Sequence, residues 1–305
     1  MTGLFLLTLR ELRARKVVVG LFIVATLVWV ALAFALQLDV VDGSLAGARL
    51  FGQETVDGDA AAIEPGTPML DDEGEVILDD DGNPRTHDLP FGDSLLESVV
   101  FGAQAFVAGA AYWMGILLAL FATGGLVAAL TERGQVDVLL TKPLSRHAVL
   151  GGRLLAVLFV MFALVVYLFG AVWLVMSIKS GIWNPRFLLA MGVVFAMFAV
   201  MYSVVTLVGV WSGSGPLSFI VTLGVVFVGL ILSIPGLAEQ VTRTWRPLVQ
   251  GGYHLLPKFG PVGTSIVPQL ATGGTVASLY PLASSLAFGA VCYGLAFAIF
   301  ARKDF

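Results

Sequence analysis

Charge is what this sequence lacks over most of its length. Charged residues make up 12% of the 305 residues and apolar residues 58%, whereas soluble domains contain roughly 25% and 45–50%. Of the 21 acidic residues, 16 lie between Asp39 and Glu97, which leaves long uncharged stretches elsewhere. The uncharged runs are too long and too many to be the buried core helices of a soluble protein.

Other absent features exclude several classes of function. The single cysteine, Cys292, excludes a disulfide within the chain and a cysteine-based metal site. No Asp, Glu, Lys, Arg or His lies in the middle of an apolar run, which argues against a carrier driven by protons or sodium ions. The phosphate-binding pattern G-x-x-x-x-G-K-[ST] is absent, so the chain does not hydrolyse ATP by that route. We find no catalytic or metal-ligating set, no cofactor site and no sign of nucleic-acid binding, and therefore predict that the chain is not an enzyme.

Six apolar runs are each long enough to cross a membrane, since about 20 residues span the hydrocarbon core. We predict an all-α polytopic membrane protein with six transmembrane helices. The predicted spans are Val17–Leu36, a stretch within Phe101–Leu130, Leu154–Ile178, Phe187–Trp211, Leu217–Ile234 and Leu282–Ala301. The first run resembles a secretory signal peptide, with Ala33-Phe34-Ala35 as a cleavage site, but its length favours an uncleaved span.

Basic residues predict the orientation, because Lys and Arg collect in short cytoplasmic loops. Ten basic residues fall in residues 1–16, 131–153 and 302–305. The other side has seven, spread over far more residues. Both termini and the 131–153 loop are therefore predicted to be cytoplasmic, and residues 37–97 and 235–281 extracytoplasmic.

Residues 1–16 have helical spacing, with Arg10, Arg13 and Lys16 three apart on one face. This pattern suits a helix lying on the inner membrane surface, with its basic face toward anionic lipid or a partner. A simple charge cluster that sets the topology explains the pattern equally well.

The 131–153 loop has a pattern typical of a docking element. Val136, Leu139 and Leu140 fall at i, i+3 and i+4, which places a small apolar face on a short helix. Pro143 would end that helix, and charged residues flank it on both sides. From spacing alone, a docking helix and an ordinary connecting loop remain equally good interpretations.

The two predicted extracytoplasmic segments differ in character. The 37–97 segment is acidic, and its Asp-Gly and Gly-Asn steps near Asp79–Asn83 favour a small β-hairpin. Asp79, Asp81 and Asn83 have calcium-loop spacing, but the rest of such a loop is missing, so a solvated acidic turn is the default. The 235–281 segment is apolar but broken by Pro and Gly, which predicts short helices on, or dipping into, the outer leaflet. Within the spans, small residues such as Gly192, Gly289 and Gly294 indicate close helix packing.

Three stretches are the most specific in the sequence: Glu132–Arg146 (ERGQVDVLLTKPLSR), Tyr253–Phe259 (YHLLPKF) and Arg302–Phe305 (RKDF). They resemble the permease subunits of type-2 ABC exporters, in the group that includes copper-enzyme maturation permeases. The resemblance covers nearly the whole chain apart from the acidic segment. It implies that the 131–153 loop contains a coupling helix that docks on a separate ATPase subunit, with contacts from Glu132, Arg133, Val136, Asp137, Leu139, Leu140, Lys142, Pro143 and Arg146.

The resemblance also implies the assembly. Two permeases, identical or related, would combine with two ATPase subunits in a bacterial inner membrane. ATP and magnesium would be bound by the ATPases and no cofactor by this chain. The interfacial helix with Arg10, Arg13 and Lys16 would lie beside the ATPase, in contact with membrane lipid. The alternative is a membrane scaffold without transport activity, whose acidic 37–97 loop recruits an extracytoplasmic partner.

Overall fold

Six long helices dominate the described part of the chain and match the six predicted spans. The computed structural model describes residues 16–41, 44–50, 53–56, 76, 78, 84, 94–128, 146–234, 236–240, 242 and 244–303. Within these ranges, six helices are long and apolar enough to cross a membrane. They are α1 (Lys16–Ala35), a long second span built of α2 (Leu95–Ala110), a π-helical turn (Ala111–Gly115) and α3 (Ile116–Ala128), then α4 (Arg146–Ser180), α5 (Arg186–Ser212), α6 (Gly215–Leu232) and, after the shorter helices, α11 (Tyr280–Arg302).

A small antiparallel sheet follows the first span. Strands β1 (Leu36–Val41), β2 (Ser44–Leu50) and β3 (Gln53–Val56) pair in chain order. Further along, an isolated antiparallel bridge joins Leu78 to Pro84 where the sequence predicts a hairpin, and the rest of that hairpin lies outside the described residues. The three strands belong to the acidic segment and were not predicted from its sequence. The described spans themselves are all helical.

Helix α5 forms the centre of the bundle. It packs against α3, α4, α6 and α11, and most of its residues are buried. Gly289 allows α11 to approach α5 closely, since a Cβ there would lie 3.2 Å from the side chain of Val200 of α5. Gly192 and Gly294 meet nothing within 4 Å. Close packing within the chain is therefore confirmed at Gly289, whereas Gly192 and Gly294 lie on exposed helix surfaces with no neighbour among the described residues of this chain.

Contacts at the helix ends define two faces of the bundle. Near the end of α4, the Lys179 ammonium donates hydrogen bonds to the carbonyl oxygens of Ala33 and Leu36 at the end of α1. At the other side, Lys303 donates to the carbonyl oxygen of Val210, near the end of α5, over 2.8 Å. The ends of α1 and α4 therefore share one face, and the ends of α5 and α11 share the opposite one.

We name these faces by what they hold. The terminal face holds the first described residue of α1, Lys16, and the residue after α11, Lys303. The insertion face holds the ends of α1 and α4, from which the acidic segment and the connection to α5 depart. Ser214, which caps α6 through a side-chain bond to the Leu217 N–H, lies in the tight α5–α6 connection on the terminal face.

A series of short helices fills the stretch between α6 and α11 at the insertion face. They are α7 (Leu237–Gln240), α8 (Arg246–Leu255), α9 (Phe259–Pro261), a second π-helical turn (Val262–Ile266) and α10 (Val267–Ala271). Helix α8 has no buried residue, whereas residues 258–271, here called the buried segment, pack among α2, α5 and α6. Helical turns satisfy the backbone of this segment internally, as a position among apolar spans requires.

Candidate functional site

The predicted coupling loop joins two helix ends on the terminal face. Helix α3 ends at Ala128 and α4 begins at Arg146. The intervening candidates lie outside the described residues: Glu132, Arg133, Val136, Asp137, Leu139, Leu140, Lys142 and Pro143. Arg10 and Arg13 also lie outside them, and Lys16 is the first residue of α1. The assignment of these residues to a partner contact stays a prediction.

The described end of this loop, the first turns of α4, lies against α11. The His147 ring in the first turn of α4 lies 6.0 Å from the Phe297 ring of α11, centroid to centroid. Gly151 leaves room for the same phenylalanine, since a Cβ there would lie 3.7 Å from its Cζ. Arg153, about two turns along α4, is buried. A force on the loop would therefore act on α3 and α4 and, through α11, on the central helix α5.

An apolar cavity of about 280 Å³ lies within the bundle. Its walls come from the middle portions of α1, the second span, α4 and α5, and every lining residue is apolar or glycine. The cavity is open on one side, where Met114 and Leu118 of the second span are exposed.

The two π-helical turns meet between the second span and the buried segment. The fully buried Tyr112 stacks on Phe259 with ring centroids 4.6 Å apart, and its hydroxyl donates to the Phe259 carbonyl oxygen over 2.5 Å. Trp113 packs edge-on against both rings. Gly263 lies under them, since a Cβ there would lie 2.8 Å from Trp113 Cζ2 and closer still to the Tyr112 ring. Isolated π-turns in helices often mark functional sites, and this pair fixes the buried segment to the second span.

Lys258 is a buried cation at the start of the buried segment. Its side chain is 1% exposed, and Nζ lies 4.8 Å and 5.0 Å from the ring centres of Tyr253 and Tyr280. Nζ also donates to the Tyr253 carbonyl oxygen, and the Lys258 backbone N–H donates to Ser285 Oγ of α11 over 2.9 Å. Burial lowers the pKa of the ammonium group, and the aromatic faces offset part of that desolvation. Lys258 thus ties the buried segment to the start of α11.

Asn184, in the connection between α4 and α5, forms a polar junction near the insertion face. Its Nδ2 donates to Gln104 Oε1 of α2 over 2.9 Å and to the Ala271 carbonyl oxygen over 2.8 Å. Its own carbonyl oxygen accepts a hydrogen bond from Trp173 Nε1 at 3.0 Å. Asn184 and Gln104 are both buried. Through its side chain and its backbone carbonyl, Asn184 therefore joins α2, α4 and the end of the buried segment.

Replacing Asn184 by alanine is expected to destabilise the protein measurably. The change leaves the Ala271 carbonyl and the Gln104 amide buried without this partner, at about 1–3 kcal/mol for each group. The measurement is the apparent melting temperature of the purified chain in mild detergent. Gln250→Ala, which removes an exposed amide from α8, is the matched control. Equal melting temperatures for the two variants would contradict the role of the junction.

Sequence reasoning missed Tyr112, Gln104, Asn184 and Lys258 as structural centres. A weak signal existed for Gln104, because an amide inside an apolar span requires a partner. Lys258 belongs to the YHLLPKF stretch noted for its resemblance, but nothing in the sequence predicts its burial. The π-helical turns were not predicted from the sequence either.

Comparison with known proteins identifies the family. The family model described as ABC-2 family transporter protein matches residues 8–305. Neither curated proteins nor solved structures gave a significant match. The chain belongs to the ABC-2 family transporter proteins: it is a multi-pass membrane protein and a permease subunit of an ABC transporter, the class of protein that works with an ABC ATPase partner. The finer resemblance to the copper-enzyme maturation group stays a prediction.

Proposed function

We propose that this chain is the permease subunit of an ATP-driven exporter, coupled to a separate ATPase through residues 131–153. The observation that supports the proposal most strongly is the family match over residues 8–305, combined with a basic loop between the second and third spans. Two ATPases would bind ATP and magnesium, and two permeases would form the path. Both termini would be cytoplasmic in a bacterial inner membrane, with the interfacial helix of Arg10, Arg13 and Lys16 beside the ATPase.

The packing of the bundle supports a route for coupling. Closure of the ATPase pair on ATP would push the loop and so displace the adjoining ends of α3 and α4. The second span continues from α3 to its π-helical turn, where Tyr112 holds Phe259 of the buried segment. A displacement of α3 would therefore reach the buried segment near the insertion face through one continuous helix. Hydrolysis and release would return the pair to its starting arrangement.

Co-purification from native membranes tests the proposal. The tagged chain is purified in mild detergent, and ATP hydrolysis is measured in the eluate. We expect ATPase activity to co-elute and to be lost when the chain has the Leu140→Asp substitution, while the variant still inserts. A clean chain without ATPase activity, under conditions that keep a known ABC complex intact, would overturn the proposal. That result would favour the alternative of a membrane scaffold without transport activity, whose acidic 37–97 loop recruits a partner.

A further inference from the structure

We infer that the cavity among α1, the second span, α4 and α5 binds an acyl chain of a membrane phospholipid. The lining has no charged residue and no side-chain amide, hydroxyl or ring nitrogen. Water, ions and head groups would gain no partner there, since a water molecule needs two to four polar contacts. The occupant must therefore be a hydrocarbon or another wholly apolar group.

The cavity opens sideways, toward the hydrocarbon of the bilayer. Among its lining residues, Met114 and Leu118 of the second span are 68% and 46% exposed, and Val24 of α1 is 47% exposed. Other lining residues, such as Met161 of α4 and Phe198 of α5, are buried at the back. The opening thus lies between the middle portions of α1 and the second span. At that depth the surrounding medium is lipid acyl chain, present at very high concentration.

The size of the cavity suits an alkyl chain. Its volume of about 280 Å³ is roughly twice that of an engineered apolar cavity of about 150 Å³ that binds benzene. A single turn of a helix, about 10 Å across with its side chains and about 5.4 Å long, already exceeds this volume, so a second permease could reach in only with individual side chains. An alkyl chain is narrow and flexible enough to fill it. This inference does not depend on the proposed transport activity.

Photolabelling tests the site. The full chain is reconstituted in phosphatidylcholine vesicles that contain a phosphatidylcholine with a diazirine in the middle of one acyl chain. After illumination, labelled positions are mapped by mass spectrometry of peptides. We expect adducts on the buried back wall, at Met161 and Phe198, in addition to the exposed helix surfaces that any lipid touches.

Substitutions that fill the cavity should remove the buried label. At Gly115, a Cβ would meet only Ala111 Cβ and the Ala110 carbonyl oxygen, at 3.8 and 3.9 Å, so a leucine there extends into the space. Gly115→Leu should lower labelling of Met161 by about tenfold or more, because the leucine displaces several chain methylenes. Gly192→Leu, on an exposed surface with no atom within 4 Å, should leave it unchanged. Ala25→Leu fills the cavity from α1 and covers the case in which Gly115→Leu fails to fold.

Two results would overturn the inference. One is labelling confined to exposed residues such as Met114 and unaffected by either filling substitution, which would indicate surface lipid only. The other is a cross-link between two copies of the chain, formed from a cysteine introduced by Met114→Cys, while Met161 stays unlabelled by the lipid. That product would show that a second copy, and not lipid, covers the opening. Both outcomes are independent of ATPase co-purification, so they leave the proposed function standing.

Discussion

Replacing Gly263 by leucine is expected to destabilise the protein by at least about 3 kcal/mol, the upper end of the usual cost of overpacking. The new Cβ would overlap the rings of Tyr112 and Trp113, and Tyr112 is fully buried. The buried segment must then shift, which breaks the Tyr112–Phe259 hydrogen bond. The measurement is the apparent melting temperature in mild detergent, and the variant should also lose ATP-dependent transport.

Gly251→Leu is the matched control for this prediction. Gly251 lies on exposed α8 in the same connection, and a Cβ there meets nothing within 4 Å. Combining Gly263→Leu with Tyr112→Ala should cost less than the sum of the single changes, because the alanine removes the ring that the leucine strikes. Equal melting temperatures for the Gly263 and Gly251 variants, or strict additivity with Tyr112→Ala, would contradict the packing described here.

The second large effect is expected at the coupling loop. Leu140→Asp should separate ATP hydrolysis from transport and weaken binding of the ATPase, while the chain still inserts and folds. The reason is that a carboxylate placed in an apolar groove without a partner costs several kcal/mol. The measurements are recovery of the complex from membranes and ATP-dependent transport in reconstituted vesicles.

Val138→Asp serves as the control for the loop prediction. On the predicted short helix, Val138 lies about 160° from Leu140, on the face away from the proposed groove. The same kind of substitution should therefore leave complex formation largely intact. Normal complex formation and transport by Leu140→Asp would contradict the coupling assignment, as would equal losses from both variants.

The six spans could be predicted because their signal is local. Length and apolar composition identify a membrane helix with little help from its neighbours. The ends of the helices were harder to predict from the sequence. Helix α4 has 35 residues and begins at Arg146, eight residues before the apolar run that starts at Leu154. The early start is possible because long basic side chains can extend their charged ends to water from the first turns of a helix near the membrane surface. The three strands after α1 were missed, since they are short and lie in a segment whose acidity suggested turns.

The candidate functional site could likewise be predicted only in part. The coupling loop could be proposed from Val136, Leu139 and Leu140, whose spacing is a property of the sequence alone. The cavity could not, because a void arises from how four helices pack and leaves no trace in any one of them. The buried position of Lys258 also depends on distant partners, Tyr280 and Ser285. Contacts of this kind appear only once the chain is folded.

Cross-linking from position 140 tests the central claim most directly. The chain has one cysteine, Cys292, so Cys292→Ala combined with Leu140→Cys gives a single reactive thiol in the coupling loop. Native membranes are treated with a photoactivatable thiol cross-linker, and the products are probed with a photoreactive ATP analogue. We expect a product of one chain joined to one ATP-binding subunit. If the thiol is reached by the reagent but no ATP-binding subunit is captured, the claim that this loop docks the ATPase is wrong.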